Sequence, residues 1–583
     1  MMKVIIIALT VVIAQLSSLW ANGKVTNALQ AELSVKSQDE KLLIWVFFND
    51  KELKKAPAVS QANQYLSEQS VQRRRVRADL SSIIEITDLP VNQTYINEVE
   101  KSGFSVKQKS KWFNGVSGYI AADKIAQISA LSFVKEVDIV NKYSRMNEPV
   151  AENAPAENLQ KGGSVHQFSY GSSWTQMQQI NVPAVHDLGL TGKGIIIGVF
   201  DAGFSNLKHE VFNKMQIIAR WDFVNNGVNV GDGAGLMGEG SHGTATLSAI
   251  GGFREGQLIG PAFDANYILA KTENTDSETP LEEDNWIAAI EWADSIGVDI
   301  TSTSLGYLDY NKPYPGYTWA DMDGRTARIT RAAVMATKKG IVVVNSAGNE
   351  GNNSIHNTLG APADADTVIS VGAVNSSGVR ASFSSVGPTA DGRIKPDVMA
   401  MGVSDYLAGT GSITDYYKAG GTSFSCPLTA GVAALVLSAN NKLTPVQMRD
   451  ALRRTASMSS APDRYYGWGI INALEAVKYA KNISTAGNEN GQAAVTDDFI
   501  LYQNYPNPFN PATNIRISIP SESDIKLELY DILGVKISLI FQGHLPKGRY
   551  SYRLDGRGLS SGFYFVKMSA ESFSKVIKII LEK

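Results

Sequence analysis

A chain of 583 residues is long for one domain, and at roughly 100–200 residues per domain it predicts three or four folding units. With 44% hydrophobic and 19% charged residues, burying cores presents no difficulty. A net charge of -3 excludes the basic excess of a nucleic-acid-binding chain, and the single cysteine, Cys426, excludes an internal disulfide.

The first 22 residues join one lysine to an apolar run of about a dozen residues and a small-residue end, SLWAN. They predict a signal peptide over 1–22, cut after Ala21. The run is short of the ~20 residues of a membrane span, and no later segment is read as one. Residues 23–144 mix strand and helix signals. LLIWVFF (42–48) predicts a buried strand, and VNQTYINEVEKSG (91–103) an amphipathic helix with Tyr95, Ile96 and Val99 on one face. RRRVR (73–77) reads as a solvated helix face in preference to a processing signal. The polar stretch 145–170, RMNEPVAENAPAENLQKGGSVHQFSY, predicts an exposed linker that is easily cut.

Over 171–482 apolar runs alternate with helical patterns. GIIIGVF, YILAK, VDITSTSLG, GIVVVNSAG, TVISVGAV and KPDVMAM predict strands; TATLSAIGG, DNWIAAIEWADSIG, TARITRAAVMATKKG and CPLTAGVAALVLSAN predict helices. Continuous apolar strands between helices predict an α/β fold, with a mostly parallel sheet covered by helices on both faces. A polar linker, 483–498, follows. From 499 to 583 the period is two (NIRISI, IKLELYDI, GFYFVKMS), which predicts a small antiparallel β-sandwich.

Charged and nucleophilic residues interrupt these runs at three places. GIIIGVFD ends a buried strand on Asp201, at the carboxyl end where open α/β sheets build their sites. GEGSHGTATLSAIGG sets His242 just before a helix of small residues. GGTSFSCPLTAG (420–431) offers five groups able to attack a carbonyl: Thr422, Ser423, Ser425, Cys426 and Thr429. A hydroxyl nucleophile needs a base, and the base needs a carboxylate to fix its tautomer and stabilise its cation. Asp, His, Ser is one of the chain orders in which that set recurs.

GVFDAGF, GSHGTATLSAIGG, GGTSFSCPLTAG and a fourth block, VVVNSAGNEG (342–351), resemble the catalytic and oxyanion blocks of the subtilases, the subtilisin-like serine proteases. The resemblance covers roughly 180–480. It implies that Asp201, His242 and Ser423 are catalytic and that Asn349 donates to the oxyanion. Ser425 and Cys426 then become packing residues. TSLGY (303–307) resembles the strand lining the substrate cleft, so Ser304, Leu305 and Gly306 are the implied substrate-binding residues, with Tyr307 standing where the family often has glycine. No cofactor is implied for the chemistry. Structural calcium, as in many relatives, is compatible with scattered acids such as Asp364, Asp366 and Asp391, but their spacing matches no calcium-loop motif and no metal residue is assigned. His166, His186, His209, His356 and His544 form no ligand-spaced pair and read as structural or surface groups.

The flanks carry resemblances of their own. WFNGVSGYIAADKIAQISALSFVKEVDI (112–139) resembles the end of a subtilase propeptide, which implies that 23–144 is a small α+β inhibitory domain and that the linker 145–170 holds the cut. YQNYPNPFNP (502–511) with the strands after it resembles a type IX secretion sorting domain of the Bacteroidetes and related Gram-negative bacteria. The expectation is a secreted or surface serine endopeptidase, exported through the periplasm and made as a self-processing zymogen. Its partners would be protein or peptide substrates, its own propeptide and the type IX machinery, with no nucleic acid. The competing expectation is an inert adhesin on the same scaffold; an esterase is disfavoured by the peptide-binding strand.

Overall fold

The computed structural model describes residues 23–52, 57–80, 82–140, 166–275, 281–308, 317–352, 359–483, 499–504, 507, 509–546, 548–570 and 573–582. The signal peptide, most of the linker 145–170, the linker after Ile483 and His356 lie outside them. The chain forms two compact units, one through Ile483 and one from Ser484 onward.

In the first unit, β1 (Lys41–Phe48) is the apolar run expected as a strand. α1 (Glu68–Arg77) follows, then α2 (Gln93–Lys101), capped by Asn92 and burying Ile96 and Val99 as its spacing requires. β2 (Ser105–Ser110), β3 (Gly115–Ala121) and β4 (Val134–Ile139) complete a four-stranded sheet of order β2-β3-β1-β4. Its core is Leu42, Ile44, Val46, Val116, Ile120 and Val137, with Ile96 and Val99 of α2.

The rest of the unit is built on seven parallel strands. In chain order the elements are β5 (Ile196–Asp201), β6 (Gln216–Asp222), α3 (Ser241–Gly251), β7 (Asn266–Lys271), α4 (Leu281–Ile296), β8 (Ile300–Thr303), α5 (Arg328–Lys338), β9 (Val342–Ser346), β10 (Ile369–Val374) and β11 (Val398–Met401). The sheet runs β11-β10-β9-β8-β5-β7-β6. Every expected strand is present; β6 was not foreseen. It is an edge strand whose exposed and half-buried residues alternate up to buried Asp222 and whose pairing shifts at Ile217/Ala219, so it carries no continuous apolar run.

A short hairpin, β12 (Asp405–Ala408) and β13 (Tyr416–Ala419), leads into α6 (Thr422–Ala439). α6 is apolar on nearly all sides and is long and apolar enough to cross a membrane by length and composition alone, but it is buried as core. It lies on β8–β11 and against α3, while α4 and α5 cover the opposite face in a second core around Trp286, Ile290 and Ile329. Helices on both faces of a parallel sheet are what the sequence predicted.

In the second unit β14 (Ala512–Ile519), β15 (Ser523–Tyr530), β16 (Lys536–Leu545), β17 (Gly548–Asp555), β18 (Gly562–Ala570) and β19 (Phe573–Leu581) form two antiparallel sheets. Ile500–Leu501, β14 and β17 make one; the other has the order β16-β15-β18-β19. Ile515, Ile517, Leu527, Val566 and Ile579 fill the space between them, which is the expected β-sandwich.

Candidate active site

β5 sits where the strand order reverses: the chain passes from it to β7 and β6 on one side, then to β8 on the other. A crevice at the carboxyl ends of such strands is the natural site of an open α/β sheet. Asp201, the last residue of β5, is fully buried there and receives three donors. His242 Nδ1 lies 2.6 Å from Oδ1, the Ala202 N–H donates to Oδ1 at 2.7 Å, and the Thr246 hydroxyl donates to Oδ2 at 2.9 Å. His242 and Thr246 are four residues apart on α3, hence on one face. Thr246 was not singled out from the sequence, although that spacing was readable. The carboxylate fixes the tautomer: Nδ1 carries the proton and Nε2 is left as the basic nitrogen.

This geometry needs Gly243. A Cβ at that position would stand 2.0 Å from the Gly203 carbonyl oxygen and 3.1 Å from Asp201 Cβ, so only glycine lets α3 lie against the turn after β5.

Ser423 is the second residue of α6. Gly421 precedes the helix at φ +153, a conformation that favours glycine. The Phe424 ring, next along the chain, is 6.0 Å from the His242 imidazole. The Ser423 hydroxyl donates to Ser304 O at 3.3 Å, and the Ser304 hydroxyl donates back to Ser423 O at 2.7 Å. The second bond has a cause within the helix. Pro427 lies inside α6, beyond its first turn. It therefore withholds the N–H that Ser423 O would otherwise accept, and Ser304 supplies a donor instead.

Beyond β9, the Asn349 side-chain oxygen accepts from the Thr422 N–H at 3.0 Å and from the Thr422 hydroxyl at 2.9 Å. A backbone N–H can only donate, so the amide is oriented with Oδ1 toward Thr422 and Nδ2 turned away from it. Ser304, Leu305 and Gly306 follow β8 directly and are buried. The Asn345 amide donates to Leu305 O at 2.9 Å, turning that carbonyl inward. Tyr307 pairs through its backbone with Ala361, at 3.0 and 2.9 Å, and its ring belongs to the core beneath α4, where the phenol donates to Glu273.

Cys426 is fully buried with its Sγ donating to Thr303 O at 3.4 Å, and burial pushes its thiol up to about 12. A thiol that keeps its proton is no nucleophile. The other described histidines are held structurally. His186, for one, lies between the Tyr170 hydroxyl and Pro261 O at 2.7 and 2.8 Å, and burial lowers it to about 4. The three acids considered for calcium meet protein donors: Asp364 takes Thr330 and Gly324, Asp366 takes Arg449, and Asp391 takes Arg393. Among the described residues no group of three metal-ligating side chains forms.

The subtilase family model matches residues 192–469. Subtilisin NAT of Bacillus subtilis subsp. natto is 32% identical over 386 residues, covering 65% of this chain and 85% of that protein. The chain belongs to the subtilase family. A subtilisin of Bacillus pumilus is 35% identical over 304 residues, 52% of this chain and 98% of its own length. Serine protease AprX of Bacillus subtilis (strain 168) is 31% identical over 319 residues, 49% and 67% of the two chains. The subtilase is flanked by two further matches: the Bacteroidota peptidase S8 propeptide domain at 43–157 and the secretion system C-terminal sorting domain at 503–582. It is thus a subtilisin-like serine peptidase with a propeptide and an export tail.

Proposed function

We propose that this subtilase hydrolyses peptide bonds through an acyl-enzyme on Ser423, with His242 as the base and Asp201 as the group that orients it. The Asp201–His242 bond carries this reading, set as it is beside the N-terminus of the helix that holds Ser423. In the reaction the Ser423 hydroxyl turns from Ser304 O to His242 Nε2, gives up its proton there and attacks the scissile carbonyl. The developing oxyanion is met by the Ser423 N–H, by the dipole of α6 and by Asn349 Nδ2, the donor side of an amide whose oxygen Thr422 holds. His242 then protonates the leaving amine, and water repeats the sequence to free the acid.

Peptide would enter as an added strand along Ser304 and Gly306. Alternate residues offer their backbone to the same edge, and Leu305, between them, already has its carbonyl on Asn345. The domain reading follows: a signal peptide over 1–22, an inhibitory propeptide over 23–144, a first self-cut within 145–170, a protease over 171–482 and a sorting sandwich over 499–583, for export through the periplasm to the surface or the medium.

The test is to express the full chain with and without Ser423→Ala, map its termini by intact mass, and label both proteins with a fluorophosphonate. Processing and labelling of the native chain alone are expected. Identical termini and no label on either would return the inert-scaffold reading.

A further inference from the structure

Two helices of the protease end side by side, at the amino end of the sheet. α4 stops at Ile296 before Gly297 (φ +104), and α5 stops at Lys338 shortly before Gly340 (φ +89). Such ends leave carbonyls without intrahelical donors and concentrate the negative pole of the helix dipole. Residues 67–79 of the propeptide fill them. The Ser67 N–H donates to Ser295 O at 2.9 Å and its hydroxyl to Ile296 O at 2.5 Å; the Asp79 N–H donates to Lys338 O at 2.8 Å. Arg73 donates to Val298 O at 2.6 Å and to Lys339 O at 3.2 Å.

Carboxylates complete the socket. Arg73 and Arg74 each take one oxygen of Asp294, and Arg77 pairs with Asp299. On the propeptide side Asp88 binds both nitrogens of the Arg74 fork and reaches Lys339 Nζ at 2.9 Å. Both glycines are needed for the approach: a Cβ on Gly297 would stand 2.6 Å from Ser70 N, and one on Gly340 3.2 Å from Ala78 N. RRRVR is therefore neither a solvated face nor an exposed processing signal. Its first, second and last arginines are buried against the protease, with partner acids more than 200 residues away in sequence.

The socket is remote from the cleft. Asp299 precedes β8 and Ser304 follows it, a separation of roughly 16 Å along an extended strand. The groups that make it, Asp294, Asp299, Val298 O and Lys339 O, belong to the protease and stay when the propeptide leaves. We infer that the paired ends of α4 and α5 are an exosite for helices bearing arginines one turn apart, filled by α1 in the zymogen and by protein substrates of that chemistry in the mature enzyme. This rests on the protease reading above. Charge complementarity and the fork geometry favour arginine: a lysine would offer Asp294 one point charge where the guanidinium offers aligned donors.

The test uses the processed protease and three substrates that share one cleavable peptide. Each is joined by a Gly/Ser linker of about 12 residues, spanning roughly 19 Å, to a helix bearing Arg-Arg-x-x-Arg, Lys-Lys-x-x-Lys or alanines at those positions. The arginine helix should lower KM about tenfold against the alanine helix and leave kcat unchanged, since remote binding held equally in ground and transition states acts on KM alone. Asp294→Asn and Asp299→Asn should each remove most of that gain; if one fails to fold, the other and the wild-type comparison still decide. Equal KM values for the arginine and alanine helices, or a lysine helix as good as the arginine one, would overturn the exosite. Hydrolysis of the untagged peptide reports on the protease reading alone, so the two failures are distinguishable.

Discussion

Asp405 is a carboxyl group enclosed in β12 where, among the described residues, neither oxygen meets a donor from another residue. Burial pushes it up to about 8, so it is protonated in the neutral-pH fold. An unfolded aspartate loses its proton near pH ~4. Between about pH 4 and about pH 8 the folded state holds one more proton than the unfolded one, so stability falls as pH rises across that window and levels off above it. Asp405→Asn, in a Ser423→Ala background that prevents self-digestion, should abolish this slope. It should match the parent near pH 4.5 and exceed it near pH 7.5 by on the order of 2–4 kcal/mol. Urea melts at the two pH values check this, and parallel curves for both proteins would sink it. At the site, Asn349→Ala should lower turnover by about 10²–10³ with KM little changed, a magnitude taken from a subtilisin, while a trace of self-cleavage persists in the mass spectrum. Asp201, His242, Ser423 and Asn349, the residues proposed for the chemistry, were legible as candidates because each stands in a short local block that resembles a subtilase block. Asp405 was not, because a lone acid in a short strand has no spacing to betray it.

For α3 the controlling fact is contact. The helix meets the turn after β5 with no room for a methyl group at Gly243, and Asp201 receives both His242 and Thr246 across that contact. Gly243→Ala should push α3 outward, lengthen the Asp201–His242 bond, and cost about 1–3 kcal/mol of stability through overpacking. The rate of fluorophosphonate labelling should fall at least tenfold, because a misaligned base fails at the step that activates Ser423. Unchanged labelling and melting would mean that the contact relaxes without cost. The core strands and helices were legible because apolar runs and 3.6-residue spacing are local. What escaped depends on partners distant in sequence: β6, half-exposed at a sheet edge, and α1, whose arginines looked solvated until Asp294 and Asp299 were brought beneath them. Pro427 belongs with these, since the donor that replaces its missing N–H comes from Ser304, on another element.

The propeptide and protease meet along α4, and the interface has a charge state of its own. Trp45 of β1 donates to Asp284 at 2.8 Å, and burial raises Asp284 to about 7 against the pull of Arg328. The N–H groups of Lys111 and Trp112 donate to Glu291 at 2.8 and 3.1 Å, yet burial still raises it to about 6. Trp45, Lys111 and Trp112 of the propeptide cover these carboxyls, so its departure should return both toward ordinary values near ~4. Binding therefore takes up protons, and affinity should fall as pH rises from about 4.5 to about 7, by up to about tenfold per unit for each acid. Below about pH 4 the sign reverses. Asp294 and Asp88 are held below the usual carboxylate range by their arginines in spite of burial, and protonating them breaks those pairs. None of the chain's six histidines lies in residues 23–140, so the propeptide has no imidazole to drive release between pH 5 and 7. Once cut, the complex should stay latent longer near pH 5 than near pH 8, by roughly 10- to 100-fold in the time for peptide hydrolysis to appear after transfer to one assay pH. Asp284→Asn, which keeps the uncharged form at every pH, should prolong latency at pH 8 and leave pH 5 almost unchanged. Faster release at pH 5 than at pH 8 would show that the arginine pairs, and not the buried acids beside them, set the pH response of activation.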